Sequence, residues 1–87
     1  MQADRKYIER LLKTARGQID GILKMVEEDR YCVEISHQIM ASQAILKRAN
    51  KEILASHMTH CVHDAIKHQQ ADQKIDEMLT ILDELLK

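Results

Sequence analysis

Apolar residues recur along the first third of the chain at steps of three and four: Ile8, Leu11, Leu12, Ala15, Ile19, Ile22, Leu23 and Val26. That spacing predicts an amphipathic helix over about residues 4–28. Gly17 and Gly21 lie inside it. Each costs a helix roughly 1 kcal/mol relative to Ala, so a close helix–helix approach is expected there. Glu28-Asp29-Arg30 is the first break, with Asp29 as the expected N-cap of the second helix. That long helix is predicted over about 31–67, free of Pro and Gly, with Ile35, Ile39, Leu46, Ala49, Ile53, Met58, Val62 and Ile66 as apolar positions. His68-Gln69-Gln70-Ala71 reads as a polar loop. Asp72 is expected to cap a third helix over about 73–86, carrying Ile75, Met78, Leu79, Leu82, Leu85 and Leu86. No stretch alternates as a strand does, and nothing repeats. The fold class is all-α, in a single domain of residues 1–87.

A middle helix of this length would be a rod of roughly 50 Å. Such a rod needs partners along its length. An antiparallel dimer of helical hairpins, with a four-helix core, meets that need with short loops. Composition points the same way. The 87 residues include no Pro, Phe or Trp and only two Tyr, so the core is thin and subunit contacts are expected to supply apolar burial. No run approaches the ~18 apolar residues of a membrane helix, and the N-terminus lacks the apolar stretch of a signal peptide. A cytoplasmic protein is expected. Two Cys there read as reactive or metal-binding thiols before a structural disulfide.

The net charge of −1 is uninformative, but its distribution is not. Arg5, Lys6, Arg10, Lys13, Arg16 and Lys24 crowd the first 24 residues, Lys47, Arg48 and Lys51 the middle, and Asp72, Asp76, Glu77, Asp83 and Glu84 the end. A basic half permits a nucleic-acid face. From charge alone, it equally describes a solvated helix surface.

Cys32, His57 and Cys61 carry the candidate chemistry. At about 100° per residue all three fall within roughly 20° of one direction on a helix. His57 and Cys61 sit one turn apart and can chelate one ion. Cys32 lies about 43 Å away along a straight helix, so it cannot join them within one chain. An antiparallel copy, related about a point near residues 44–46, would bring Cys32 of one chain beside His57 and Cys61 of the other. Two thiolates and an imidazole form a soft donor set suited to Cu(I). The competing reading makes the three residues ordinary members of an apolar helix face. His60, His63 and His68 could make a surface Zn or Ni site, though they lie on varying faces; His37 reads as solvated.

Two segments decide between these readings. Leu12-Lys-Thr-Ala-Arg-Gly-Gln-Ile-Asp-Gly-Ile-Leu-Lys-Met-Val-Glu-Glu-Asp-Arg-Tyr-Cys32 and His57-Met-Thr-His-Cys61-Val resemble the first helix and turn, and the second helix, of the copper-sensitive operon repressor (CsoR) family. The resemblance covers nearly the whole chain. It implies a three-helix protomer, a homodimer with antiparallel long helices, and a homotetramer built as a dimer of dimers. It implies Cu(I) held by Cys32 of one chain with His57 and Cys61 of the other, and Tyr31 and Glu77 linking that site by hydrogen bonds to the third helix. It also implies operator double-stranded DNA bound without a helix-turn-helix. Arg10, Lys13, Arg16, Lys47 and Arg48 are the candidates for that contact, Arg48 matching a family position most clearly. Many members carry Arg where this chain has Leu11 or Thr14. The implied function is a repressor that occupies the operator in the apo form and leaves it when Cu(I) binds.

Within the same family, persulfide sensors link two such sulfurs but tend to lack the His, so His57 and Tyr31 favour copper. Nickel and cobalt sensors use more imidazole, with an N-terminal His absent here. A metal-buffering or interaction helix bundle would leave the basic residues idle. Enzyme chemistry is not expected: there is no Ser-His-Asp set or Gly-rich phosphate loop, and Glu77 has no carboxylate partner.

Overall fold

The computed structural model describes all 87 residues. It contains three helices, α1 (Arg5–Glu27), α2 (Cys32–Lys67) and α3 (Ala71–Leu85), and no strand. Asp4 starts α1: its Oδ1 accepts from the backbone N–H of Lys6 at 3.0 Å and of Tyr7 at 3.4 Å. These satisfy two of the donors that a helix start leaves without partners.

Both α1 and α2 end in the same device. After α1, Asp29 takes a left-handed conformation, φ 56°. Its N–H donates to Val26 O at 3.1 Å while Arg30 N–H reaches back to Met25 O at 3.0 Å. After α2, Gln69 has φ 59°, with Gln69 N–H on Ile66 O and Gln70 N–H on Ala65 O. These are Schellman closures made without glycine. They correct two expectations. Asp29 terminates α1 instead of capping α2, and Asp72 falls within the first turn of α3, whose N-cap is Gln70 with no side-chain bond. Asp29 tolerates the left-handed region because its short polar side chain is the kind that visits it.

Two compact units divide the chain, with α2 running through both. The first, Asp4–Lys51, is a helical hairpin of α1 and the first part of α2. Ile8, Leu11 and Ala15 form the buried stripe of α1; Ser42 and Ala49, two turns apart, are the buried positions of α2 here. Ser42 Oγ donates to Gln18 Oε1 at 2.9 Å, 24 residues away in sequence. That bond sets the two helices in register and satisfies the buried hydroxyl. The glycines do not make the approach expected of them within the chain: a Cβ at Gly17 or Gly21 would meet nothing within 4 Å. The second unit, Met1–Ala3 with Glu52–Lys87, buries Ala65 and Met78.

Neither unit covers all of its apolar residues. Leu12, Ile19, Leu23 and Val26 share one face of α1 and remain 44–57% exposed. Ile39 and Leu46 on α2, Ile75 and Leu79 on α3, and Leu86 just after it are exposed as well. No large side chain is fully buried anywhere in the protomer.

Candidate metal centre and nucleic-acid interface

His57 and Cys61 occupy adjacent turns of α2 in the second unit. His57 is exposed, while Cys61 is a half-buried free thiol. Both line a cleft of about 340 Å³, together with His60, Asp64, His68 and Lys74. Cys32 is the first residue of α2, an exposed free thiol in the first unit. No three His, Cys, Asp or Glu side chains come together as a metal cage within the protomer. One chain therefore offers a one-turn pair and a separate thiol. The donor chemistry of the three residues fits Cu(I), because two thiolates and an imidazole match a soft ion of low coordination number.

Tyr31 lies in the turn before Cys32, 68% exposed. Its carbonyl accepts the Ile35 N–H at 3.2 Å, which opens the hydrogen-bond ladder of α2. Glu77 is exposed on α3 and its Oε2 lies 3.4 Å from Lys74 Nζ. Within the protomer Glu77 is thus bonded to Lys74, and makes no bond to His57 or Tyr31. Lys74 lines the cleft beside His57 and Cys61. The sequence reading missed it, although its position three residues before Glu77 on a helix is the signal of such a pair.

Charge separates along the chain. The first unit holds ten Lys and Arg against seven Asp and Glu; the remainder holds three against seven. Arg10, Lys13, Arg16, Lys47 and Arg48 all fall in the first unit and none pairs with a carboxylate, whereas Arg5, Lys24 and Arg30 do. Arg10 and Lys13 line an open groove of about 520 Å³ with Lys6, Glu9 and Thr14. Lys6, also unpaired, belongs with the candidates and was not singled out from sequence. The Arg10 guanidinium sits 5.2 Å from the Tyr7 ring centroid, which restrains it without neutralising it. Thr14 turns its hydroxyl onto the Arg10 carbonyl at 2.9 Å. It adds no charge to the groove.

A family model described as metal-sensitive transcriptional repressor matches residues 4–84. The chain belongs to that family. It is 43% identical over 84 residues to the copper-sensing transcriptional repressor CsoR of Bacillus subtilis, covering 97% of this chain and 83% of that protein. It is also 43% identical over 68 residues to CsoR of Mycobacterium ulcerans, covering 78% of this chain and 58% of that longer one. Among solved structures, the copper-sensing repressor CsoR with Cu(I) from Geobacillus thermodenitrificans superposes with a TM-score of 0.82 at 36% identity, covering 94% of this chain and 85% of that one. The nickel-responsive transcriptional regulator InrS superposes at 0.79 and 29% identity, covering 98% and 96%. The three-helix all-α protomer read from apolar spacing is the fold of these metal sensors.

Proposed function

We propose that this chain is a cytoplasmic Cu(I)-responsive transcriptional repressor, acting by binding and not by catalysis. The observation that carries the reading is the donor set: a thiol at Cys32 and a one-turn His57–Cys61 pair, in a chain 43% identical to a copper-sensing repressor. Cys32 of one protomer and His57 and Cys61 of its partner share one Cu(I), so each homodimer has two such sites. Each thiol loses its proton on binding. The apolar faces of α1, α2 and α3 left open in the protomer are the surfaces that dimer and tetramer formation would cover.

In the apo form Lys6, Arg10, Lys13, Arg16, Lys47 and Arg48 hold operator DNA through its phosphates. When Cys32, His57 and Cys61 close on the ion, Tyr31 and Glu77 carry the change to α3, and the tetramer shifts to a form that fits DNA poorly. Glu77 must then exchange its bond to Lys74 for one toward the site. A coupling of about 1–3 kcal/mol between the ligands is the usual scale.

The test selects tight-binding DNA from a random-sequence pool with the apo protein, then measures its release anaerobically by fluorescence anisotropy. Cu(I) is expected to weaken binding by roughly 5–150-fold, the range of that coupling. His57→Ala is expected to keep apo binding and lose the response. Release by an organic persulfide but not by Cu(I) would replace copper sensing with sulfur sensing through Cys32 and Cys61.

A further inference from the structure

The line of donors on α2 does not stop at Cys61. At about 100° per residue, His57, Cys61, Asp64 and His68 fall within a sector of roughly 60°, at steps of four, three and four. All four line the same cleft of about 340 Å³, as does His60. Asp64 and His68 are both exposed. Neither takes part in an ion pair or side-chain hydrogen bond, whereas Glu77 and Glu84 on the neighbouring helix are both paired with Lys. The Asp64 carboxylate and the His68 imidazole are one turn apart, the same spacing as His57 and Cys61, and so can chelate an ion between them. Gln2 and Gln70 also line the cleft, and their amides can supply neutral oxygen donors.

The two pairs differ in chemistry. His57 with Cys61 presents nitrogen and sulfur. Asp64 with His68 presents oxygen and nitrogen, which suits a borderline divalent ion and not Cu(I). We propose that Asp64 and His68 form a second, weaker metal site, which takes a borderline divalent cation of the Zn(II) class. No three side chains cage an ion in the protomer, so the site is a two-point chelate completed by water or by a Gln amide oxygen. One stripe along α2 and the residue that follows it would thus sort ions by softness, Cu(I) at the thiol end and a divalent cation at the carboxylate end. His60, one turn before Asp64 and also lining the cleft, is a further imidazole within reach of that carboxylate. His63, about 120° away from His57 around the helix, is outside the cleft and takes no part.

The test titrates Zn(II) against a competing chromophoric chelator, using full-length reduced protein first loaded anaerobically with one Cu(I) per protomer. The wild type is expected to bind one further Zn(II) per protomer. Asp64→Asn and His68→Gln are each expected to weaken that binding at least tenfold while leaving Cu(I) affinity within about threefold, and His63→Gln to change neither. All three positions are exposed, so helical content by circular dichroism should be unchanged. Absence of a further Zn(II), or Zn(II) binding indifferent to Asp64→Asn and His68→Gln, would overturn the site. Failure of Cu(I) loading would count against the copper reading instead; the same Zn(II) titration on metal-free Cys32→Ser, Cys61→Ser protein then decides the second site by itself.

Discussion

Cys32, His57 and Cys61 put two sulfur donors and an imidazole on one face of a helix, a soft set that stands out in a sequence because such donors are rare. Lys74 and Asp64 do not stand out, because a lysine or an aspartate on a helix reads as solvated until a cleft puts it beside a thiol. Ser42 was also hidden. It occupies a core position in the series Ile35, Ile39, Ser42, Leu46, Ala49, Ile53, and a lone polar residue in such a series is the signal that a partner waits across the interface. The partner is Gln18. Ser42→Ala is expected to lower stability by about 1 kcal/mol, the usual worth of one such bond, as measured by urea denaturation. Glu77→Gln is expected to leave Cu(I) affinity within a few-fold of wild type while reducing Cu(I)-driven DNA release. An equal loss of both would place Glu77 at the metal itself.

The three helices were readable to within two residues, since apolar steps of three and four persist through each. Their ends were read less well. Residue type suggested Asp29 and Asp72 as N-caps, but the backbone ends each preceding helix first, with a left-handed residue. Such closures favour glycine, and Gln69 gives no sign of one in sequence. A β-carbon at left-handed φ costs roughly 1–2 kcal/mol, offset in part by the flexibility glycine adds to the unfolded chain. Gln69→Gly is therefore expected to stabilise the protein by about 0.5–1 kcal/mol. At the start of α1, Asp4→Ala removes the two bonds that cap the helix and is expected to cost about 1 kcal/mol. Thermal unfolding of both variants checks the two signs together.

In the whole molecule, what one chain lacks is informative. Apolar faces lie open, Cys32 falls in one unit and His57 with Cys61 in the other, and all but one of the unpaired Lys and Arg, Lys67, gather in the first unit. α2 carries apolar residues around its circumference, the pattern of a helix with several neighbours. Apolar patterning gives a reason to expect partners but does not say which face would meet which, because that depends on contacts no single chain makes. Leu46, exposed near the midpoint between Cys32 and Cys61, is the position where an antiparallel copy would cross. Leu46→Glu is expected to shift the protein toward monomer in sedimentation and to lose Cu(I) affinity without touching a ligand. For DNA, Lys47→Ala is expected to weaken binding to all sequences alike and to reduce the salt slope by about 1.

Sharing of the copper site between chains is the claim on which the rest depends, and complementation tests it most directly. Cys32→Ser and Cys61→Ser proteins are each titrated with Cu(I) against a competing chelator, then mixed so that subunits exchange, and titrated again. Each alone is expected to bind Cu(I) weakly. The mixture is expected to regain tight sites, one in each mixed dimer, because one chain brings Cys32 and the other brings His57 with Cys61. A mixture no better than its components, once subunit exchange has been verified, would contradict the shared site and with it the proposed route by which copper releases the DNA.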